Sequence, residues 1–135
     1  MLVVDASLVL AWCFADEKTA SADRLMDRIG SDGAFVPSLW RLEVANVLLA
    51  AERRGRIGRA DADGRLQQLA DLPIEVDDET DFRAWHDVLA LARAARLTVY
   101  DSAYLELALR RGLPLATLDR DLAKAARKAG VRVEP

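Results

Sequence analysis

The chain has 135 residues, of which 52% are hydrophobic and 30% charged, and a formal net charge of −3. That apolar content is enough for one domain with its own core and excludes a disordered chain. No apolar run approaches the roughly 20 residues of a membrane span, and the acidic balance argues against a nucleic-acid coat protein. A single cysteine, Cys13, leaves no intrachain disulfide, and residues 1–5 carry no basic leader, so a soluble protein of the reducing cytoplasm is expected.

In chain order, Leu2-Val3-Val4 predicts a first strand that runs into Asp5. Residues 7–14 are apolar nearly throughout and predict a short buried helix. Residues 18–29 are amphipathic and predict a helix stopped by Gly30. Residues 34–36 predict a strand closed by Pro37. Ser38 is placed to cap a long helix reaching about Arg54, with Gly55 after it. Residues 61–69 predict a weaker helix with Gly64 inside it, and 73–76 a strand. Residues 80–95 predict a helix begun by Thr80, with Phe82, Trp85, Val88, Leu89 and Ala92 as its apolar positions. Thr98-Val99-Tyr100 predicts a strand leading into Asp101, and residues 102–111 a helix ending at Gly112. Residues 115–117 predict a strand, 121–129 a helix ending at Gly130, and 131–133 an edge strand. Strands that alternate with helices imply an α/β fold, here a parallel central sheet of about five strands flanked by helices on both faces, with residues 1–135 as one domain.

This reading gathers carboxylates at one edge. Asp5, Asp101 and Asp119 each follow a strand-like run and precede a helical one, and ligands in open α/β sheets bind outside the carboxyl ends of the strands. Aspartate is also a good helix cap, so any one of the three has a structural explanation; hydroxyl caps at Ser38 and Thr80 would show that this chain has another way to start helices. Glu43 is the more telling acid. Its helical neighbours at i−4 and i+4 are Leu39 and Val47, so it interrupts an apolar stripe, and a glutamate there needs a cation or an arginine from elsewhere in the fold. Asn46 adds a second polar group one turn on. Ser7 and Thr117 lie two residues from Asp5 and Asp119 and can donate into the cluster, while Asp121 either joins it or caps the last helix.

Clustered carboxylates repel unless neutralised. One histidine and one cysteine make a zinc site of nitrogen and sulfur ligands unattractive, whereas all-oxygen sites suit Mg2+ or Mn2+, and these ions point to phosphate chemistry. His86, beside Trp85, reads as a surface or packing residue, and Cys13 as a small buried hydrophobe. Two basic groups, Arg53, Arg54, Arg56 and Arg59, then Arg120, Lys124, Arg127, Lys128 and Arg132, read either as solvated faces or as surfaces that attract phosphate.

The segments Val3-Val4-Asp5-Ala6-Ser7, Leu42-Glu43-Val44-Ala45-Asn46, Tyr100-Asp101-Ser102-Ala103-Tyr104 and Ala116-Thr117-Leu118-Asp119-Arg120-Asp121 resemble, in order, the four motifs of PIN domains. Within that family the chain most resembles the VapC toxins of bacterial toxin–antitoxin pairs, over essentially its whole length. The resemblance implies a Mg2+- or Mn2+-dependent endoribonuclease with Asp5 and Asp101 as main metal ligands. Glu43 and Asp119 would complete the set, with Ser7, Asn46 and Thr117 in support. It also implies a homodimer, an RNA substrate and a VapB-type antitoxin whose basic tail fills the acidic groove. Two other classes compete. A phosphotransfer enzyme built on a strand-end aspartate would need a second aspartate two residues after Asp5, where Ser7 stands, and a lysine after a late strand. A catalytically inactive binding module would keep the acids only to dock the antitoxin tail.

Overall fold

The computed structural model describes every residue except Ala15. Five short strands form one sheet: β1 (Leu2–Val4), β2 (Ala34–Val36), β3 (Ile74–Val76), β4 (Leu115–Ala116) and β5 (Val133–Glu134). Their order is β3-β2-β1-β4-β5, and every neighbouring pair is parallel. β1 is central and buried throughout, as a strand covered on both faces must be. The chain leaves β1 toward β2 and β3, then returns to lay β4 and β5 on its other side. The winding reverses at β1, and such a reversal opens a crevice at the strands' carboxyl ends.

The helices are α1 (Ala6–Cys13), α2 (Ala20–Asp32), α3 (Leu39–Arg53), α4 (Arg59–Ala70), α5 (Thr80–Arg83), α6 (Leu89–Ala95), α7 (Val99–Arg111) and α8 (Arg120–Lys128). A π-turn over Ala84–Val88 joins α5 to α6, so the helix expected over 80–95 is interrupted. Among the described residues no helix is long and apolar enough to cross a membrane. The core is a continuous apolar cluster around β1, including Leu8, Val9, Ile29, Leu48, Tyr104, Leu105 and Leu122. Cys13 lies within it, where burial pushes its thiol up to about 11.

Three local expectations fail, each for a physical reason. Thr98-Val99-Tyr100 is no strand. Thr98 adopts extended dihedrals and its Oγ1 accepts the backbone N–H of Asp101, which starts α7 at Val99. Threonine, valine and tyrosine favour strands, but the hydroxyl cap overrides that preference. Gly30 does not stop α2, which runs to Asp32 and ends at Gly33 in a positive-φ conformation (+81°) with Pro73 O only 3.1 Å from where a Cβ would stand. Finally, neither Ser38 nor Thr80 caps with its hydroxyl. Ser38 Oγ donates to Asp81, while α5 is begun by Asp77, whose Oδ2 accepts from Glu79 N–H and Thr80 Oγ1.

Candidate active site

Four elements converge on one acidic crevice. Asp5 follows β1 directly, so the sheet's central strand delivers it. Although it occupies the N-cap position of α1, its side chain makes no cap bond. Its Oδ2 instead accepts two hydroxyls, Ser7 Oγ and Thr117 Oγ1, each at 2.7 Å. Ser7 Oγ also accepts the backbone N–H of Leu118, and Thr117 Oγ1 that of Asp119. These bonds tie the loop after β1 to the loop after β4 and fix the orientation of the Asp5 carboxylate.

Asp119 does cap. Its Oδ1 accepts Leu122 N–H at 2.9 Å and begins α8, so the structural explanation holds for this aspartate without removing it from the crevice. Asp121, exposed in the first turn of α8, is not the cap. Asp101 stands in the first turn of α7 rather than at a strand end, so its carboxylate lies at the positive end of a helix. Glu43 projects from α3 and receives the buried hydroxyl of Tyr104. Asp101 and Tyr104 are separated by three residues, so one face of α7 supplies an acid and the donor that orients another acid.

Proximity shows in the electrostatics. Burial raises Asp5, Glu43 and Asp101 above the ordinary carboxylate range. Asp119 lifts Asp5 and Asp101 further, Asp5 and Asp101 lift Glu43, and Asp121 adds to Asp101. The hydroxyls of Ser7, Thr117 and Tyr104 partly offset these effects. The Tyr104 phenol is itself driven up, by burial and by the Glu43 carboxylate. Among the described residues none of the four acids pairs with a lysine or arginine. One buried and three partly buried carboxylates without counter-cations are unfavourable as they stand, and a hard divalent ion is what an all-oxygen set accommodates. The donor set therefore fits Mg2+ or Mn2+. Asn46 is exposed on α3 and makes no hydrogen bond that ties it to the acids.

A second acid group competes on geometry alone. Asp77, Asp78 and Glu79 bring three carboxylate oxygens within 4.8 Å of one another, closer than any three of the crevice acids among the described residues. Two of its three acids are already paired. Arg110 reaches Asp77 at 2.7 Å and Glu79 at 3.1 Å, and Arg111 reaches Asp77 at 3.0 Å. Burial opposes it, yet the two guanidiniums hold Asp77 well below the usual carboxylate range. This group is an ion-pair hub joining the end of β3 to α7.

Sequence reasoning missed Tyr104 and the Asp77 hub. The i+3 spacing of Tyr104 from Asp101 was available as a signal once α7 was known to include both. The pairing of Asp77 with arginines 33 and 34 positions away had no local signal.

Comparison with known proteins identifies the family. Residues 2–128 match the PIN domain family. The curated protein "Ribonuclease VapC3" from Pyrobaculum aerophilum is 34% identical over 123 residues, spanning 91% of this chain and 92% of that one. The crystal structure of PAE2754 from the same organism superposes with a TM-score of 0.71 at 25% identity, covering 98% of this chain and 87% of its own. FitAcB from Neisseria gonorrhoeae, at 12% identity, shares the fold with a TM-score of 0.69, covering 100% and 97%. The chain belongs to the PIN-domain family, as a nuclease of the VapC type.

Proposed function

We propose that the protein is a Mg2+- or Mn2+-dependent endoribonuclease and the toxin of a type II toxin–antitoxin pair, working as a single PIN domain over residues 1–135. The observation that carries this reading is the convergence of four carboxylates from separate elements with no basic partner among them. Asp5 and Asp101 would be the main ligands, with Glu43 and Asp119 completing the set. A bound divalent ion would supply Lewis-acid polarisation of a phosphodiester and a more acidic water for in-line attack.

The chain's own residues do the positioning. Ser7 and Thr117 hold Asp5 in one rotamer, so its free oxygen keeps one direction. Tyr104 does the same for Glu43. Asp119 spends one oxygen on the α8 cap and keeps the other for the crevice. Asp121 contributes negative field from the rim. Asn46 supports the set only if α3 brings it inward in the complex.

The same charge logic suits the antitoxin that the family resemblance implies. A basic tail carrying an arginine would satisfy these carboxylates with charge-assisted hydrogen bonds and compete with metal. A homodimer would have apolar surface to bury, because Leu42 is 75% exposed, Phe82 78% and Trp85 85%. Exposed RNA loops are the natural substrates, since their phosphates and bases can be splayed into a crevice. The cytoplasm is where such a toxin meets its RNA.

The test is cleavage of total cellular RNA by the purified, antitoxin-free protein, with Mn2+ and with chelator, beside Asp101→Asn. Discrete fragments that require metal and vanish in the variant are the expected result. A folded protein that cuts no RNA with Mn2+ would overturn the reading in favour of an inactive binding module.

A further inference from the structure

An acidic crevice faces a difficulty with its own substrate, because phosphodiesters are repelled by the residues that hold the metal. Something outside the crevice must draw the RNA in. The basic residues of this chain divide by whether they are already committed. Arg28, Arg56, Arg83, Arg110 and Arg111 each hold carboxylates. Arg56 also lies over the Phe14 ring and Arg111 over that of Phe35.

On α8 the pattern differs. Arg120, Lys124, Arg127 and Lys128 are all exposed, and among the described residues none pairs with a carboxylate. Their spacing of i, i+4, i+7 and i+8 puts them on one helix face, opposite the buried Leu122, Ala123 and Ala126. The stripe has a direction. Arg120 directly follows Asp119, so its first cation stands at the lip of the crevice. From there it runs away from the acids for the length of the helix, roughly 13 Å. At its far end Lys128 shares the wall of a shallow depression with Arg96, whose guanidinium also lacks a carboxylate partner among the described residues.

We propose that the α8 stripe, extended by Arg96, is the track along which the phosphate backbone of single-stranded RNA enters the crevice. The inference rests on the ribonuclease reading and deepens it. Exposed cations on long side chains suit a backbone that must slide, because contacts to phosphate carry no sequence information. The track would supply affinity and orientation, leaving base preference to the crevice. It also accounts for a nuclease of net charge −3, since attraction needs only a local basic surface beside the site.

The experiment is the salt dependence of kcat/KM for Mn2+-dependent cleavage of cellular RNA, comparing wild type with Lys124→Gln/Arg127→Gln/Lys128→Gln. These are exposed helical positions, and glutamine preserves helix propensity. Unfolding by urea checks that stability is matched. Each lost phosphate contact lowers the slope of log(kcat/KM) against log[KCl] by about 0.7 for a single strand, so three lower it by about 2. At low salt kcat/KM is expected to fall about tenfold or more, with kcat at saturating RNA retained and fragment ends unchanged. Arg53→Gln/Arg54→Gln, at the end of α3, should leave the slope alone. An unchanged slope in the α8 variant, with wild type active, overturns the track and leaves the ribonuclease reading standing. A wild type without metal-dependent cleavage overturns both.

Discussion

The two acid groups of this protein are made of the same residue types and behave oppositely. Around Asp77, arginines arrive in the fold with the acids, and its carboxyl is driven below its ordinary range. Around Asp5, only hydroxyls arrive, and Asp5, Glu43 and Asp101 are driven above theirs. On the proposed reading, closeness of the acids does not by itself mark the metal site. What matters is which partner the fold withholds.

Substitutions can break the comparison. The largest effect is expected at Asp101→Asn, where activity should fall by more than the roughly 100-fold seen when only a supporting partner of a metal ligand is lost. The variant should fold normally, because it removes repulsion, and circular dichroism with cleavage kinetics checks both. Asp77→Asn should do the reverse. Removing one partner of a buried ion pair costs about 3–5 kcal/mol, measurable by urea unfolding, while cleavage per folded molecule stays near wild type. Mn2+ at about 100 times its dissociation constant should stabilise the protein by about 2.7 kcal/mol. That gain should persist in Asp77→Asn and vanish in Asp101→Asn, and the opposite pattern would move the metal to the Asp77 hub.

Smaller effects sharpen the contrast. Tyr104→Phe keeps the ring in the core and removes only the donor to Glu43, so cleavage should drop about tenfold with little change in fold. The two groups should also answer pH with opposite sign. Asp5, Glu43 and Asp101 bind protons more readily folded than unfolded, so their contribution to stability is full in acid and is lost as pH rises through their raised values. Asp77 contributes above the unfolded carboxylate range near about 4 and loses that contribution as pH falls toward its depressed value. Thermal scans across this range should show the stability advantage of Asp101→Asn over wild type shrinking in acid, and the deficit of Asp77→Asn shrinking there too.

Much of this was legible in the sequence because it is local. Alternating apolar runs and helix stops marked β1, β2, β4 and most helices within a residue or two, and the acids were visible as interruptions in apolar patterns. Glu43 between Leu39 and Val47 is the clearest case. The misreading at residues 98–100 came from weighing strand propensity above a single hydroxyl, and it placed Asp101 at the right edge for the wrong reason. Other features were long-range. The tie between Asp5 and Thr117 spans 112 residues, and Asp77, just after β3, meets arginines 33 and 34 residues further on in α7, so no short window of sequence contains either.

That 112-residue tie has a consequence for synthesis. β1 is made first, yet one of its two sheet neighbours is β4, and the hydroxyl that orients Asp5 belongs to Thr117. A chain still growing from the ribosome can lay down α1 to α7 and hold three of the four acids, but its crevice has neither wall nor clamp until residue 119 has emerged. On the proposed ribonuclease reading, a nascent chain would therefore stay inactive until β4 is in place, and any truncation before β4 would leave the crevice unassembled.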